Sequence, residues 1–124
     1  MPANSPEQTS LLLAEAFRLG DLEAAVGRYE VDATFFPDPG QPVTGAAAIR
    51  QAFGGFIAMK PTLSIETVVS AISGDIALIQ NNWTMKTTGP DGSPVDTAGQ
   101  SAEVARRQAD GSCKFLIDNP WGTG

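Results

Sequence analysis

The sequence of 124 residues predicts an α+β fold in which three helices pack against one face of a curved antiparallel sheet. Up to about residue 60, apolar residues recur at the spacing of amphipathic helices. From Pro61 onward apolar and polar residues alternate, and turns containing glycine separate the alternating runs. Because the helices come first and the strands follow, they should form separate layers with a pocket between them. We expect residues 1–124 to form a single domain.

Three helices are predicted, each starting at a residue whose side chain can accept a hydrogen bond from the first helical turn. These residues are Ser5, Asp21 and Thr44. The first helix should end near Leu19, because Gly20 readily adopts the left-handed conformation that closes helices. The second helix is short. The third extends to about Ile57 and contains Gly54-Gly55, which weakens it by about 1 kcal/mol per glycine.

Five strands are predicted, one before the third helix and four after it. They cover residues 33–36, 63–69, 76–87, 95–108 and 114–119. Residues 37–42 contain three prolines and a glycine, which excludes regular structure from that segment.

Charge and residue usage exclude several classes of function. Eight Lys and Arg against fourteen Asp and Glu give a net charge of −6, which disfavours nucleic acid and anionic membrane partners. The absence of histidine excludes Ser-His-Asp catalysis and most zinc sites, and we expect neither a metal nor a cofactor. Cys113 is the only cysteine, so an internal disulfide is excluded and a cytoplasmic location is expected. No apolar run is long enough to cross a membrane.

The dipeptide Asp110-Gly111 lies between two alternating runs and predicts a hairpin with a two-residue type I′ turn. In that register Glu103 lies opposite Asp118, with their Cβ atoms roughly 4.5–5.5 Å apart. Two carboxylates at this distance repel each other, so a shared proton, a nearby cation or water must offset the repulsion. Either the pair lies in a pocket and holds a proton, or it is partly exposed beside basic residues nearer the turn. A one-residue bulge would separate the pair.

Several short segments distributed over nearly the whole chain resemble one superfamily. They are residues 19–25 (LGDLEAA), 32–35 (DATF), 45–50 (GAAAIR), 73–77 (SGDIA), 90–92 (PDG), 103–108 (EVARRQ) and 109–112 (ADGS). In these segments the chain resembles the nuclear transport factor 2 superfamily, in its ketosteroid-isomerase-like and SnoaL-like branch. The resemblance implies a cone-shaped fold with the three helices in the concavity of the sheet. The matching segments are turns, caps and strand starts, so they indicate a fold rather than a reaction.

The resemblance to ketosteroid isomerases implies roles for individual residues. The general-base aspartate of that enzyme falls on Asp38, and the acid that donates a hydrogen bond to the developing oxyanion falls on Glu103. The oxyanion-hole tyrosine falls on Leu13, which has no hydroxyl, and loss of one such donor costs about 3 kcal/mol. This difference argues against authentic ketosteroid isomerase activity. On the last strand, the matching directs Leu116, Asp118 and Pro120 into the pocket.

The same matching separates residues of the pocket from residues of the outer surface. On the second long strand, Leu78, Gln80, Asn82 and Thr84 are expected to face inward. Four aromatic residues are candidates for ligand contacts, or else belong to the core. These are Phe17, Phe36, Phe53 and Trp121. Trp83 and Met85 are expected on the convex face, which commonly forms a homodimer in this superfamily, or else to pack beneath a helix. Tyr29 is expected to end the second helix and to pack, without donating a proton.

The residues and the resemblance together favour an enzyme that transfers protons with carboxylates. The reaction would be an isomerisation, cyclisation or dehydration of a mostly apolar substrate. Asp38 would be the base, and protonated Glu103, helped by Asp118 and Asn82, would donate a hydrogen bond. Two alternatives stay open: a module that binds a small apolar or amphipathic ligand without converting it, and an assembly module whose dimer surface is its function.

Overall fold

The structure, a computed structural model, describes residues 4–122. It contains three helices: α1 (Pro6–Leu19), α2 (Leu22–Val26) and α3 (Ala46–Ala58). It also contains six strands: β1 (Tyr29–Asp38), β2 (Gln41–Thr44), β3 (Thr62–Ser73), β4 (Ile76–Thr88), β5 (Pro94–Arg107) and β6 (Cys113–Asn119). The predicted α+β class is confirmed. Within the described residues, no helix is long and apolar enough to cross a membrane.

The six strands form one sheet in the order β2-β1-β6-β5-β4-β3. Neighbouring strands are antiparallel except β1 and β6, which are parallel. This pair joins the first long strand to the last one, and Phe35 lies beside Asp118. The parallel pairing was not predicted, because turn signals report only on strands that follow each other in the chain.

Two of the predicted helix starts are confirmed and one is wrong. The Ser5 hydroxyl accepts a hydrogen bond from the Gln8 amide at 3.2 Å, and the Asp21 carboxylate accepts one from the Ala24 amide at 3.0 Å. Helix α3, in contrast, has Gly45 as its N-cap and no side-chain cap. Thr44, the predicted cap, is the last residue of β2.

The region between α2 and α3 is more regular than predicted. Strand β1 begins at Tyr29, which was expected to end a helix, and β2 lies partly within the segment from which prolines were expected to exclude regular structure. Strand β2 is at the edge of the sheet and pairs only with β1. An edge strand tolerates Pro42 because one side of the strand needs no backbone donors.

The hydrophobic core lies between the helices and the concave face of the sheet. Ile49 and Phe53 of α3 are 0% and 1% exposed, and they pack with buried residues of the sheet. The rings of Phe53 and Phe35 meet edge to face with centroids 5.0 Å apart, and the Tyr29 ring lies 5.4 Å from Phe53. These contacts hold α3 over the start of β1.

Strand β4 presents to the helices the opposite set of residues from the one predicted. Its buried residues are the odd-numbered ones: Ala77, Ile79, Asn81 and Trp83. Asn82 is exposed, and Leu78, also predicted to face inward, is 45% exposed. Because side chains alternate along a strand, an error of one residue exchanges the two faces completely. Both sets contain apolar and polar residues, so alternation alone does not identify the buried face.

The predicted β5–β6 hairpin is present, but its turn is longer than a two-residue turn. The Gln108 amide donates to the Ser112 carbonyl at 2.7 Å, and the Gly111 amide donates to the Gln108 carbonyl at 2.9 Å. Gly111 has a φ of 86°, whereas Asp110 has no positive φ. A type I′ turn needs a positive φ at both central residues, so the predicted turn type is wrong.

A bulge in β6 compensates for the longer turn. Ala105 pairs with Phe115 and Val104 pairs with Ile117, so Leu116 is an extra residue in the ladder. Beyond the bulge, Glu103 lies opposite Asp118, as predicted. The pairing is therefore correct, although neither the turn nor the bulge that produces it was predicted.

Candidate functional site

A cavity of about 120 Å³ lies between the helices and the concave face of the sheet. Seven aromatic side chains line it: Phe17, Tyr29, Phe35, Phe53, Phe56, Trp83 and Trp121. Six other lining residues are apolar: Leu13, Pro61, Leu63, Ile65, Met85 and Pro120. The polar lining residues are Asn81, Ser101, Glu103 and Asp118, and none of the described lining residues is basic. An apolar wall with a few grouped polar side chains is typical of small-molecule sites.

The polar residues of the cavity lie side by side because of the sheet register. Asn81 of β4 pairs with Ser101 of β5, and Glu103 of β5 pairs with Asp118 of β6. Ser101 and Glu103 are two residues apart on one strand and therefore share its inner face. Three neighbouring strands thus bring four polar side chains to one patch of an otherwise apolar wall.

The Glu103 carboxyl group is held by two donors. Its Oε1 accepts from the Asn81 amide at 3.0 Å and from the Ser101 hydroxyl at 2.5 Å. The Asn81 amide also donates to the Ser10 hydroxyl at 3.1 Å, and its oxygen accepts from the Thr67 hydroxyl at 2.7 Å. Glu103 is 4% exposed and Asn81 is 1% exposed. The network therefore fixes the orientation of Glu103 through α1, β3, β4 and β5.

The Asp118 carboxyl group is held from the other side by Tyr29. The Tyr29 hydroxyl donates a short hydrogen bond to Oδ2 of Asp118. Both residues are buried, and the Tyr29 ring packs between Phe53 and Phe115. Sequence reasoning missed this contact because Tyr29 was assigned to a helix. The only signal that could have found it is that Tyr29 is the sole tyrosine in the chain.

The pKa values of both carboxyl groups are raised above their ordinary values. Burial, and then the charge of the neighbouring Asp118, raise the pKa of Glu103 to about 8. Burial raises the pKa of Asp118 to about 6, although the hydrogen bond from Tyr29 acts in the opposite direction. Burial and the neighbouring Asp118 carboxylate raise the pKa of Tyr29 well above its ordinary value, so the Tyr29 hydroxyl remains a donor. Near neutral pH the pair holds one proton between its two carboxyl groups.

Asp38, the predicted base, does not reach the cavity. It is the last residue of β1, it is exposed, and it is not among the lining residues. Tyr29 and Phe35 are the β1 residues that line the cavity, and Asp38 lies beyond Phe35 at the turn into β2. The spacing from the matched segment therefore did not identify the position that faces inward.

The remaining predicted ligand-contact residues divide into two groups. Four line the cavity: Leu13, Phe17, Phe53 and Trp121. Four do not line it: Phe36, Gln80, Asn82 and Leu116. Phe36 and the two β4 residues are one position out of phase with residues that do line it, and Leu116 is the bulge residue. Trp83 and Met85, predicted on the convex face, line the cavity for the same reason.

Two tryptophans tie the C-terminal residues to the sheet beside the cavity. The Trp83 indole N–H donates to the Pro120 carbonyl at 2.7 Å, and the Trp121 indole N–H donates to the Phe36 carbonyl at 3.1 Å. The two indoles meet edge to face with centroids 5.9 Å apart. Trp83 lies directly over Gly99 of β5, where a Cβ atom would be 2.9 Å from the indole ring. Gly99 therefore sets the position of this wall of the cavity.

Among residues 4–122, no group of three or more His, Cys, Asp or Glu side chains is arranged to hold a metal ion. The functional groups that the cavity presents are the carboxyl pair, its hydrogen-bond donors and the aromatic wall.

A curved sheet that encloses helices and an apolar cavity with a buried acid pair defines a cone-shaped α+β class of proteins. The family comparison agrees with this class. The model of the SnoaL-like domain family matches residues 12–114, which is most of the chain, and the protein belongs to that family. A sequence search among curated proteins finds no match.

Two bacterial proteins of known structure have the same fold as this chain. A ketosteroid isomerase-like protein from Erwinia carotovora superposes with a TM-score of 0.78 and 19% identity, covering 90% of this chain and 88% of that one. A nuclear transport factor 2-like superfamily protein from Salmonella enterica superposes with a TM-score of 0.78 and 17% identity, covering 94% and 89%. At these identities the likeness shows the fold and does not identify a reaction.

We predict that Gly99→Ala destabilises the protein and displaces Trp83. The new methyl group would overlap the indole, which must move and lose its hydrogen bond to Pro120. The free energy of unfolding should therefore fall by about 1–3 kcal/mol. Urea unfolding followed by tryptophan fluorescence measures both effects. Gly54→Ala in α3 is the matched control, because its Cβ meets no atom within 4 Å and should stabilise by about 0.5 kcal/mol. Equal effects of the two substitutions would contradict the role given to Gly99.

We also predict that stability falls as pH rises from 5 to 8. The folded state holds the Glu103 proton more tightly than the unfolded chain, so the stabilisation is complete at low pH and is lost as pH rises through about 8. The expected loss is on the order of 3 kcal/mol. Urea unfolding at both pH values should show a smaller loss for Glu103→Gln than for the wild type. Glu66→Gln, at an exposed position of β3, is the control and should keep the wild-type slope.

Proposed function

We propose that this protein binds a small, mostly apolar molecule in the cavity and transfers protons to and from it. The observation that carries the proposal is the Glu103–Asp118 pair, buried in the cavity wall and holding one proton near neutral pH. Such a pair contains an acid and a base in neighbouring positions. Buried carboxyl groups with raised pKa values are typical of sites that perform acid–base chemistry.

The contacts assign different roles to the two carboxyl groups. Tyr29 donates a hydrogen bond to Asp118, which stabilises the ionised form of that carboxylate, so Asp118 is the base. Glu103 has the higher pKa of the two, so it keeps the proton and is the acid. The base role expected for Asp38 therefore passes to Asp118, and the supporting amide is Asn81 instead of Asn82.

The proposed step can be written for a ketone. Asp118 removes a proton from the carbon next to the carbonyl group while Glu103 donates its proton to the carbonyl oxygen, which forms an enol. Asp118 then carries the proton and Glu103 carries the charge. When the ketone carries a β,γ double bond, this enol is a dienol. Asp118 then returns its proton to the γ-carbon, the hydroxyl proton returns to Glu103, and the double bond moves into conjugation with the carbonyl group, which completes an isomerisation and restores the pair.

This site differs from that of ketosteroid isomerases in its donors. Leu13 lines the cavity and supplies no hydroxyl group, so Glu103 is the acid available to a carbonyl oxygen. The single tyrosine, Tyr29, donates to Asp118 and thus acts on the base. We therefore propose proton transfer on a substrate smaller than a steroid, because about 120 Å³ is close to the volume that holds a single ring.

Hydrogen exchange in a single-ring ketone tests the proposed reaction. The wild-type protein should accelerate exchange of the α-protons of cyclohexanone in D₂O, measured by proton NMR. Asp118→Asn should reduce the acceleration by about a hundredfold or more, because a positioned general base contributes a factor of that order. Glu66→Gln should leave the acceleration unchanged, since Glu66 is exposed.

The alternative without catalysis predicts a different result in the same sample. If line broadening shows that cyclohexanone binds but the wild-type protein does not accelerate exchange, the proton-transfer role is wrong and the protein is a ligand-binding module. Acceleration that survives in Asp118→Asn would instead remove Asp118 from the role of base.

We also infer that the outer face of the sheet is a homodimer surface, with residues different from those first expected. Leu78, Val104 and Ile117 pair across three neighbouring strands and point away from the helices. Leu78 is 45% exposed and Ile117 is 40% exposed. A contiguous apolar row on an exposed sheet face supports association with a second copy of the chain.

A charge on this face should prevent the proposed dimer from forming. We predict that the wild-type protein sediments as a dimer and that Leu78→Glu sediments as a monomer, because the substitution buries a carboxylate in the interface. Leu11→Glu is the matched control, since Leu11 is an exposed leucine on α1 and should not affect the mass. A wild-type protein that sediments as a monomer would contradict the inference.

A further inference from the structure

Among residues 4–122, the buried acid pair has no basic partner in the cavity. The four ion pairs of the described residues are Arg18–Glu15, Arg50–Glu23, Arg106–Glu30 and Arg107–Asp75. The arginine side chain of each is between 45% and 59% exposed. None of the described residues that line the cavity is basic. An ionised carboxylate buried without a cation is unfavourable, so a ligand that supplies a positive charge would relieve that cost.

One oxygen of the pair is available to a ligand. Tyr29 donates to Oδ2 of Asp118, and among residues 4–122 it is the side-chain donor that acts on this carboxyl group. Asp118 is 5% exposed and lines the cavity. The remaining oxygen can therefore accept either the proton held by Glu103 or a hydrogen bond from a donor on a bound molecule. An N–H group on a bound ligand could donate a hydrogen bond to this oxygen.

The rest of the wall suits a cation as well as a ring. Seven of the lining side chains are aromatic, and the faces of aromatic rings attract ammonium groups through their quadrupoles. The cavity of about 120 Å³ is close to the volume of about 150 Å³ that holds one benzene molecule. The net charge of −6 additionally attracts cations to the protein and repels anions.

From these contacts we propose that the cavity is a binding site for small organic cations, namely single-ring primary amines whose ammonium group bonds to Asp118. The proposal goes beyond the proton-transfer function, which concerns neutral carbonyl compounds. In the bound state, the ammonium group neutralises the charge of Asp118, and the ring takes the place that a neutral substrate would occupy. The amine is therefore a competitor of that substrate.

Three molecules with the same ring test the charge preference. Isothermal titration calorimetry at pH 7 should show that benzylamine binds about tenfold or more tightly than benzyl alcohol, because a hydrogen bond to a charged group contributes about that factor. Benzoate should not bind measurably. An amine with two fused rings, 1-naphthylmethylamine, should bind less tightly than benzylamine, because the cavity accommodates only one ring. Benzyl alcohol binding as tightly as benzylamine would overturn the proposal.

Variants locate the amine within the protein. Asp118→Asn should reduce benzylamine affinity about tenfold or more and leave benzyl alcohol affinity within about twofold. Glu66→Gln is the control for binding to the acidic surface and should change neither. Unchanged benzylamine binding in Asp118→Asn would show that the amine binds elsewhere and would overturn the proposal. If Asp118→Asn does not fold, competition in the wild-type protein locates the amine: benzyl alcohol should displace benzylamine from the cavity, and simultaneous binding of both would overturn the proposal.

The outcome is separable from that of the proton-transfer proposal. Calorimetry measures binding without turnover, so tight benzylamine binding without any cyclohexanone exchange would support the cation site and remove the reaction. Accelerated cyclohexanone exchange that benzylamine does not inhibit would support the proton-transfer reaction and remove the cation site from the cavity. Exchange that benzylamine inhibits, with an inhibition constant equal to its calorimetric dissociation constant, would place both ligands in one cavity.

Discussion

The burial of Glu103 beside Asp118 is the constraint on which the rest of the structure depends. Two carboxyl groups in an apolar wall are costly unless protons and donors stabilise them. Each donor comes from a different part of the fold: Tyr29 from the start of β1 and Asn81 from β4, with Ser101 beside Glu103 on β5. The parallel β1–β6 pair and the register of β4 on β5 are therefore needed for these two groups to be buried at all.

The same arrangement explains why the site suits chemistry. A core with apolar side chains in place of Glu103 and Asp118 would be more stable than the present one, because apolar side chains have no desolvation cost on burial. Here the cost is partly offset by one proton held within the pair and by neutral donors, and no basic residue of the described wall neutralises the remaining charge. That charge remains available to a ligand. The family accounts for the fold, whereas any chemistry depends on which polar side chains line the cavity.

The central acid pair of the site was predicted from local sequence patterns, whereas the predictions that failed depended on strand register or on contacts between distant residues. The pairing of Glu103 with Asp118 was predicted from a turn signal, yet the actual turn is longer and the bulge at Leu116 restores the register. On β4 the two faces were exchanged, because both contain apolar and polar residues. Tyr29 was missed for a related reason, since its partner Asp118 lies at the far end of the chain. Local patterns do not report on a shift of one residue or on distant partners.

By itself, the sequence determined the layers of the fold: where the first two helices start at capping side chains, where alternation replaces helical spacing, and that no histidine or second cysteine takes part in chemistry. Only the tertiary structure decided which face of each strand is buried, and hence that Asn81 and Trp83 line the cavity while Asp38 does not. Capping and periodicity depend on neighbours within a few residues. Burial depends on packing between strands and helices that are far apart in the chain, and this packing sets the protonation of the acid pair.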